Sequence, residues 1–228
     1  MIDAARANQL AVALAATAAA LLTAMVVITA ATGVAQEPFE VVRADYASAI
    51  AAGAAALRAI VALDALFLIA YAGFFVLLPR ALGVADHPLV RLGVRAMLAV
   101  AVLDIVEDHH LLALARMAEA GQAIDPIVIE LQHVLSQTKF HLSYLALAMI
   151  ALGLPRADWR DRAFAWMIGL PLPVMGALAW AAPELEAAVG VARWGAFMTG
   201  FGAAIVTLRR VARAAGPGPG AAATGARA

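Results

Sequence analysis

The sequence contains no cysteine. Disulfides, thiolate catalysis and cysteine-held zinc or iron–sulfur sites are therefore excluded, and any metal must be held by histidine and carboxylates. Charge is scarce, with Asp, Glu, Lys and Arg making up 14% of 228 residues. The 16 acidic and 16 basic groups cancel, so there is no net basic field to hold nucleic acid. Lysine is scarcest of all. Lys139 stands alone among the basic residues and falls inside a hydrophobic run, whereas the arginines mostly flank such runs.

What fills the chain instead is hydrocarbon. Hydrophobic residues make up 64%, with a mean hydropathy of +0.88, far too apolar for a soluble domain of this size. Six segments reach the length of about 20 apolar residues needed to cross a hydrocarbon core. They lie near residues 8–33, 53–78, 91–117, 127–154, 162–182 and 189–208. The expectation is an all-α, six-span transmembrane bundle over residues 1–213 that contacts the lipid bilayer. A disordered Gly-Pro-Gly-Pro-Gly tail is expected over 214–228. Gly33-Val34-Ala35 offers small residues at signal-cleavage spacing, but the first apolar run is long for a secretory signal, so a retained helix is expected.

Loop charges set the orientation. Arg6, then Arg80, Arg91 and Arg95, then Arg156, Arg160 and Arg162, then Arg209, Arg210 and Arg213 fall on one side. Glu37, Glu40 and Asp45, then Glu119 and Asp125, then Glu184 and Glu186 fall on the other. Both termini are thus expected to be cytoplasmic, in a bacterial inner membrane, with Trp159, Trp180 and Trp194 as interfacial anchors. Pro38, Phe39 and Tyr46 are expected on the outer surface. Gly169, Pro171, Pro173 and Gly176 must break or kink the fifth helix. Gly195, Gly200 and Gly202 offer the sixth helix a small-residue face for close packing, and Thr17, Thr23 and Thr29 lie on a similar face of the first. His87, in Asp86-His87-Pro88, reads as a helix-start residue, while Arg58 can snorkel from near a helix end.

The anomaly is Leu103 to Leu111, where Asp104, Glu107, Asp108, His109 and His110 interrupt an apolar helix. Charge at bilayer depth costs several kcal/mol, so such groups mark a functional site by default. If helices three and four turn at Gly121-Gln122, His110 and His133 lie at equal distances from the turn, as do Asp104 and Lys139. The second pair is about 9 Å deeper. Asp64 matches Asp104 in the same way across the turn near Val84. At 100° per residue, Asp104, Glu107, Asp108 and Leu111 share a face while His109 points away. On helix four, Glu130, His133, Gln137, His141 and Tyr144 form a polar stripe expected to face the bundle. Lys139 lies off that stripe, and its partner is open between Asp64 and Asp104.

Three readings follow. In the first, Asp64, Asp104, Glu107 and Lys139 form a switchable charge cluster for proton-coupled transport, because a desolvated lysine can lose its proton and an arginine effectively cannot. In the second, Glu107-x-x-His110 and Glu130-x-x-His133 hold zinc, iron or copper for an intramembrane enzyme acting on a lipid. In the third the groups are polar glue in a non-catalytic scaffold. Substrate and oligomeric state are not encoded in any motif.

At Leu103-Asp104-Ile105-Val106-Glu107-Asp108 followed by Thr138-Lys139-Phe140, the chain resembles a loose group of uncharacterised bacterial multi-pass membrane proteins. In that group an Asp-x-x-Glu-Asn element in one membrane helix is followed, in the next, by a Lys that often precedes an aromatic. Asp108 stands where Asn is expected, and His109-His110 lies outside the pattern. The resemblance covers helices three and four, implies a shared role for Asp104, Glu107 and Lys139, and implies no activity.

Overall fold

Helix boundaries in the computed structural model, which describes residues 2–182 and 185–214, follow from local chemistry. Helix α1 (Ala4–Thr32) starts where the Asp3 side chain accepts from Arg6 N and stops at Gly33, which takes the left-handed conformation. A short 3₁₀ turn (Glu37–Phe39) leads to α2 (Tyr46–Ala81). Pro88 opens α3 (Pro88–Glu119) and Pro126 opens α4 (Pro126–Gly153), each at a position where the missing N–H costs nothing. Helices α5 (Trp159–Gly169) and α6 (Pro171–Ala181) meet at Leu170. Pro171 and Pro173 break the ladder there, as expected. Helix α7 (Glu186–Ala214) ends the described chain.

Each helix packs on the next, α1 on α2, α2 on α3 and α3 on α4, with α4 against α5 and α6. Helix α7 then closes the circuit by packing on α5, α6 and α1. The described residues form helices and connections without strands. Four stretches are long and apolar enough to cross a membrane: Ala4–Thr32, Tyr46–Ala81, Trp159–Ala179 and Ala188–Ala214. The protein is thus an all-helical membrane protein.

Two apolar clusters hold the bundle. The larger joins Ala7, Ala11, Ala15 and Ala18 of α1 with Tyr71 to Ala81, Met97 to Ala101, Tyr144 to Leu154 and Phe201 to Leu208. The smaller joins Phe39, Tyr46, Ile50, Leu57 and Val61 to Leu111, Leu114 and Ile129. Between them runs a polar layer containing Asp64, Asp104, Glu107, Asp108, Gln132, Ser136 and Lys139, all buried.

Several expectations need correction. Helix α2 starts at Tyr46 rather than near 53, because the Ala-rich run 47–52 has high helix propensity. Phe39 and Tyr46 are buried, not on the outer surface. Their rings meet edge to face and the Tyr46 hydroxyl donates to the Phe39 carbonyl at 3.0 Å. At Gly195, Gly200 and Gly202 an added Cβ would meet nothing, so these glycines serve no close helix approach. That role belongs to Gly93, whose Cβ would lie 2.7 Å from the Ala146 carbonyl oxygen. Trp194 lines the interior rather than anchoring an interface, while Trp159 is exposed. The Trp180 and Glu186 side chains, Glu184, and residues 215–228 of the expected tail lie outside the described residues. His87 precedes the first turn of α3, as expected.

Candidate functional site

The α3 stripe Met97, Val100, Ala101, Asp104, Glu107, Asp108, Leu111, Leu114, Ala115 is continuous at helical spacing, so the acids turn inward with the core residues. Its partner is the α4 stripe Ile129, Gln132, Ser136, Lys139, Ser143, Ala146, Ile150. Of the expected face only Tyr144 is buried. Glu130 is exposed and His133, Gln137 and His141 are half-buried at its side, about one residue of helical rotation away. Close approach explains the rotation: Gly93 meets the α4 backbone at Ala146, which demands small residues such as Ser136, Ser143 and Ala146 on the facing side.

Asp64, Asp104, Glu107, Asp108 and Lys139 are each less than a tenth exposed, and Glu107 is 1% exposed. The Lys139 ammonium lies 2.7 Å from Asp104 Oδ1 and 2.5 Å from Glu107 Oε2. Tyr71, two turns along α2 from Asp64, donates its hydroxyl to Asp104 Oδ2 at 3.1 Å. Asp64 has Asp104, Glu107, Asp108 and Lys139 as its charged neighbours. The sequence left Lys139 open between Asp64 and Asp104, and the structure pairs it with Asp104 and Glu107.

The connection between α1 and α2 folds inward over this layer. Gln36 Nε2 donates to Asp108 Oδ1 at 3.4 Å. Glu40 is buried beside Glu107 and Ser136. Burial and the neighbouring Glu107 carboxylate push Glu40 up to about 7 from the usual 4.5. Five carboxyls therefore surround one ammonium in water-poor surroundings. Charge of that density is stable only if protons or cations reside among the acids.

The candidate metal residues are distributed differently. Glu107 is held by Lys139, and Glu130 is at the surface. His110 Nδ1 lies 2.7 Å from Gln132 Oε1, while His110 Nε2, Gln132 Nε2 and His133 Nδ1 are buried without a hydrogen-bond partner among the described residues. Among the described residues no group of three or more His, Cys, Asp or Glu side chains is arranged to hold a metal ion. His109 is exposed, as its angular position implied.

On one side the polar layer opens into a cavity of about 270 Å³. Asp64, Tyr71, Asp104, Lys139 and Ser143 supply its polar wall; Phe67, Phe74, Met97, Leu172, Phe197 and Phe201 supply much of the rest. Leu22 and Met25 of α1, Met167 of α5 and Trp194 of α7 also line it, so the flanking helices are cavity walls rather than packing alone.

No family model, curated protein or solved structure matches the chain. The chemistry of the site must therefore carry the functional reading.

Sequence reasoning missed Gln36, Glu40, Tyr71, Gln132, Ser136 and Ser143. The signal for three of these was present, since Gln132, Ser136, Lys139 and Ser143 recur at spacings of four, three and four through the anomalous lysine. Tyr71 lies seven residues from Asp64, on the same face. Nothing local marked Glu40, which is buried only because its loop folds back.

Proposed function

We propose that the chain is a six-span bacterial inner-membrane protein with cytoplasmic termini, in which Asp64, Asp104, Glu107 and Lys139 bind and release protons during carrier-type transport. The observation that carries this reading is the excess of buried carboxyls over the single ammonium beside a ligand-sized cavity. Helices α3 and α4 are too charged on average to count as apolar spans, yet their mid-helix charges, Asp104, Glu107, Asp108 and Lys139, face inward. Their outward residues, including Leu98, Val102, Ile105, Leu131, Val134 and Leu145, are exposed and aliphatic. At about 1.5 Å per residue both exceed the roughly 30 Å of a hydrocarbon core. The resemblance at Asp104, Glu107 and Lys139 supports the same set.

Potentiometric titration of the purified protein in lipid nanodiscs tests the proton reading. Wild type is expected to bind at least one proton more between pH 8 and 5 than Asp104→Asn and Glu107→Gln. Identical titration with changed thermal stability alone would leave the cluster as polar glue and overturn the proposal.

The metal-dependent enzyme is favoured by the buried, unpartnered nitrogens of His110 and His133. Near-stoichiometric zinc, iron or copper in protein purified without chelator, lost in His110→Ala and His133→Ala, would establish it instead.

A further inference from the structure

The central cavity has the composition of a site for a charged organic ligand. A dry cavity of about 150 Å³ is enough to take benzene; this one, at about 270 Å³, has room for one ring and several further heavy atoms. Its walls are rich in Phe, Tyr and Trp, whose ring faces carry partial negative charge. Three carboxyl residues line it, Glu37, Asp64 and Asp104, against one basic residue, Lys139. That ammonium is already engaged by Asp104 and Glu107. Asp64 makes no ion pair with any described residue, so the cavity has a carboxyl wall without a dedicated counter-charge. The Arg193 guanidinium stacks over Phe140 at 4.1 Å from its centroid and is not among the residues that line the cavity.

We propose that this cavity binds a monovalent organic cation with an apolar, ring-sized body, and that Asp64 is its counter-charge. The assignment rests on the proton-handling reading and names its ligand class. The groups facing Asp64 are Asp104, Glu107 and Asp108 of α3 and Lys139 of α4. Tyr71 of α2 donates to Asp104, Glu37 also lines the cavity, and Arg193 of α7 stacks on Phe140. Asp64 and Asp108 are neighbouring buried carboxyls, and two such groups cannot both stay ionised side by side, so one of them carries a proton. Entry of a cation at Asp64 replaces that proton, which leaves to water. One charge enters for each that departs, so the buried layer keeps its balance, which an uncompensated cation at that depth would upset. Arg193, repelling a cation from the Phe140 side, biases the bound charge toward Asp64.

The probe is benzyltrimethylammonium, titrated calorimetrically into full-length protein in nanodiscs, against its uncharged carbon isostere neopentylbenzene. Titrations in buffers of different ionisation enthalpy count the proton released. The cation is expected to bind at least tenfold tighter than the isostere, with up to one proton released, and at least tenfold weaker in Asp64→Asn. Should Asp64→Asn fail to fold, Gly200→Leu serves instead. Gly200 lines the cavity and an added Cβ there meets nothing, so the leucine fills the space and is expected to abolish binding. Equal affinity for cation and isostere, or undiminished binding in the variant used, overturns the inference. Proton binding by the cation-free wild type distinguishes the two failures: if it persists without cation binding, only the ligand class is wrong. If both are absent, the proton-handling reading falls as well.

Discussion

Asp104 and Lys139, on different helices, meet at 2.7 Å in the layer where the two apolar clusters part. The same ammonium also reaches Glu107 at 2.5 Å. Removing one member of a buried pair strands the other charge, at a cost of about 3–5 kcal/mol. Lys139→Met strands two carboxylates and is expected to lower thermal stability by at least that range in nanodiscs or mild detergent. Combining it with Asp104→Asn and Glu107→Gln should recover much of the loss. A triple variant no more stable than Lys139→Met would show that the ammonium does not serve to neutralise these acids.

Glu40 supplies a pH dependence. In the folded chain its carboxyl titrates at about 7, raised mainly by burial and by Glu107, against 4.5 when unfolded. The folded state therefore binds the proton more tightly. The stability it contributes is fully present below about pH 4.5 and is lost as pH rises through about 7. Melting temperature measured from pH 4.5 to 8 should fall more steeply for wild type than for Glu40→Gln. Hydrogen exchange in the connection between α1 and α2 should also quicken above pH 7, as the ionised Glu40 repels Glu107. Parallel profiles for the two proteins would remove Glu40 from this role.

Two glycines should respond in opposite directions to alanine. At Gly93 the new Cβ falls 2.7 Å from the Ala146 carbonyl oxygen and 2.8 Å from the Ile150 side chain, so α3 and α4 must separate. Gly93→Ala is expected to destabilise by about 1–3 kcal/mol. Gly202 meets nothing, so Gly202→Ala gains helix propensity and should stabilise by up to about 1 kcal/mol. Thermal melts of both variants check the pair, and a neutral Gly93→Ala would contradict the close α3–α4 crossing.

Depth was legible in the sequence because it follows from a one-dimensional rule: residues equidistant from a turn sit level. That logic placed Asp64, Asp104 and Lys139 in one layer, and Pro171 and Pro173 marked the break between α5 and α6. Rotation of α4 was not legible. The stripe from Glu130 to Tyr144 is more polar than the stripe through Gln132, Ser136, Lys139 and Ser143, and polarity alone favours the wrong face. Only the tertiary contact at Gly93 decides that small side chains must point at α3. The fold of the α1–α2 connection is equally non-local. Glu40 and Phe39 are buried because Tyr46 ties the loop to α2 and Gln36 reaches Asp108, contacts made across separate parts of the chain. The central cavity arises the same way, since no helix by itself encodes the space left when α7 returns to close the ring.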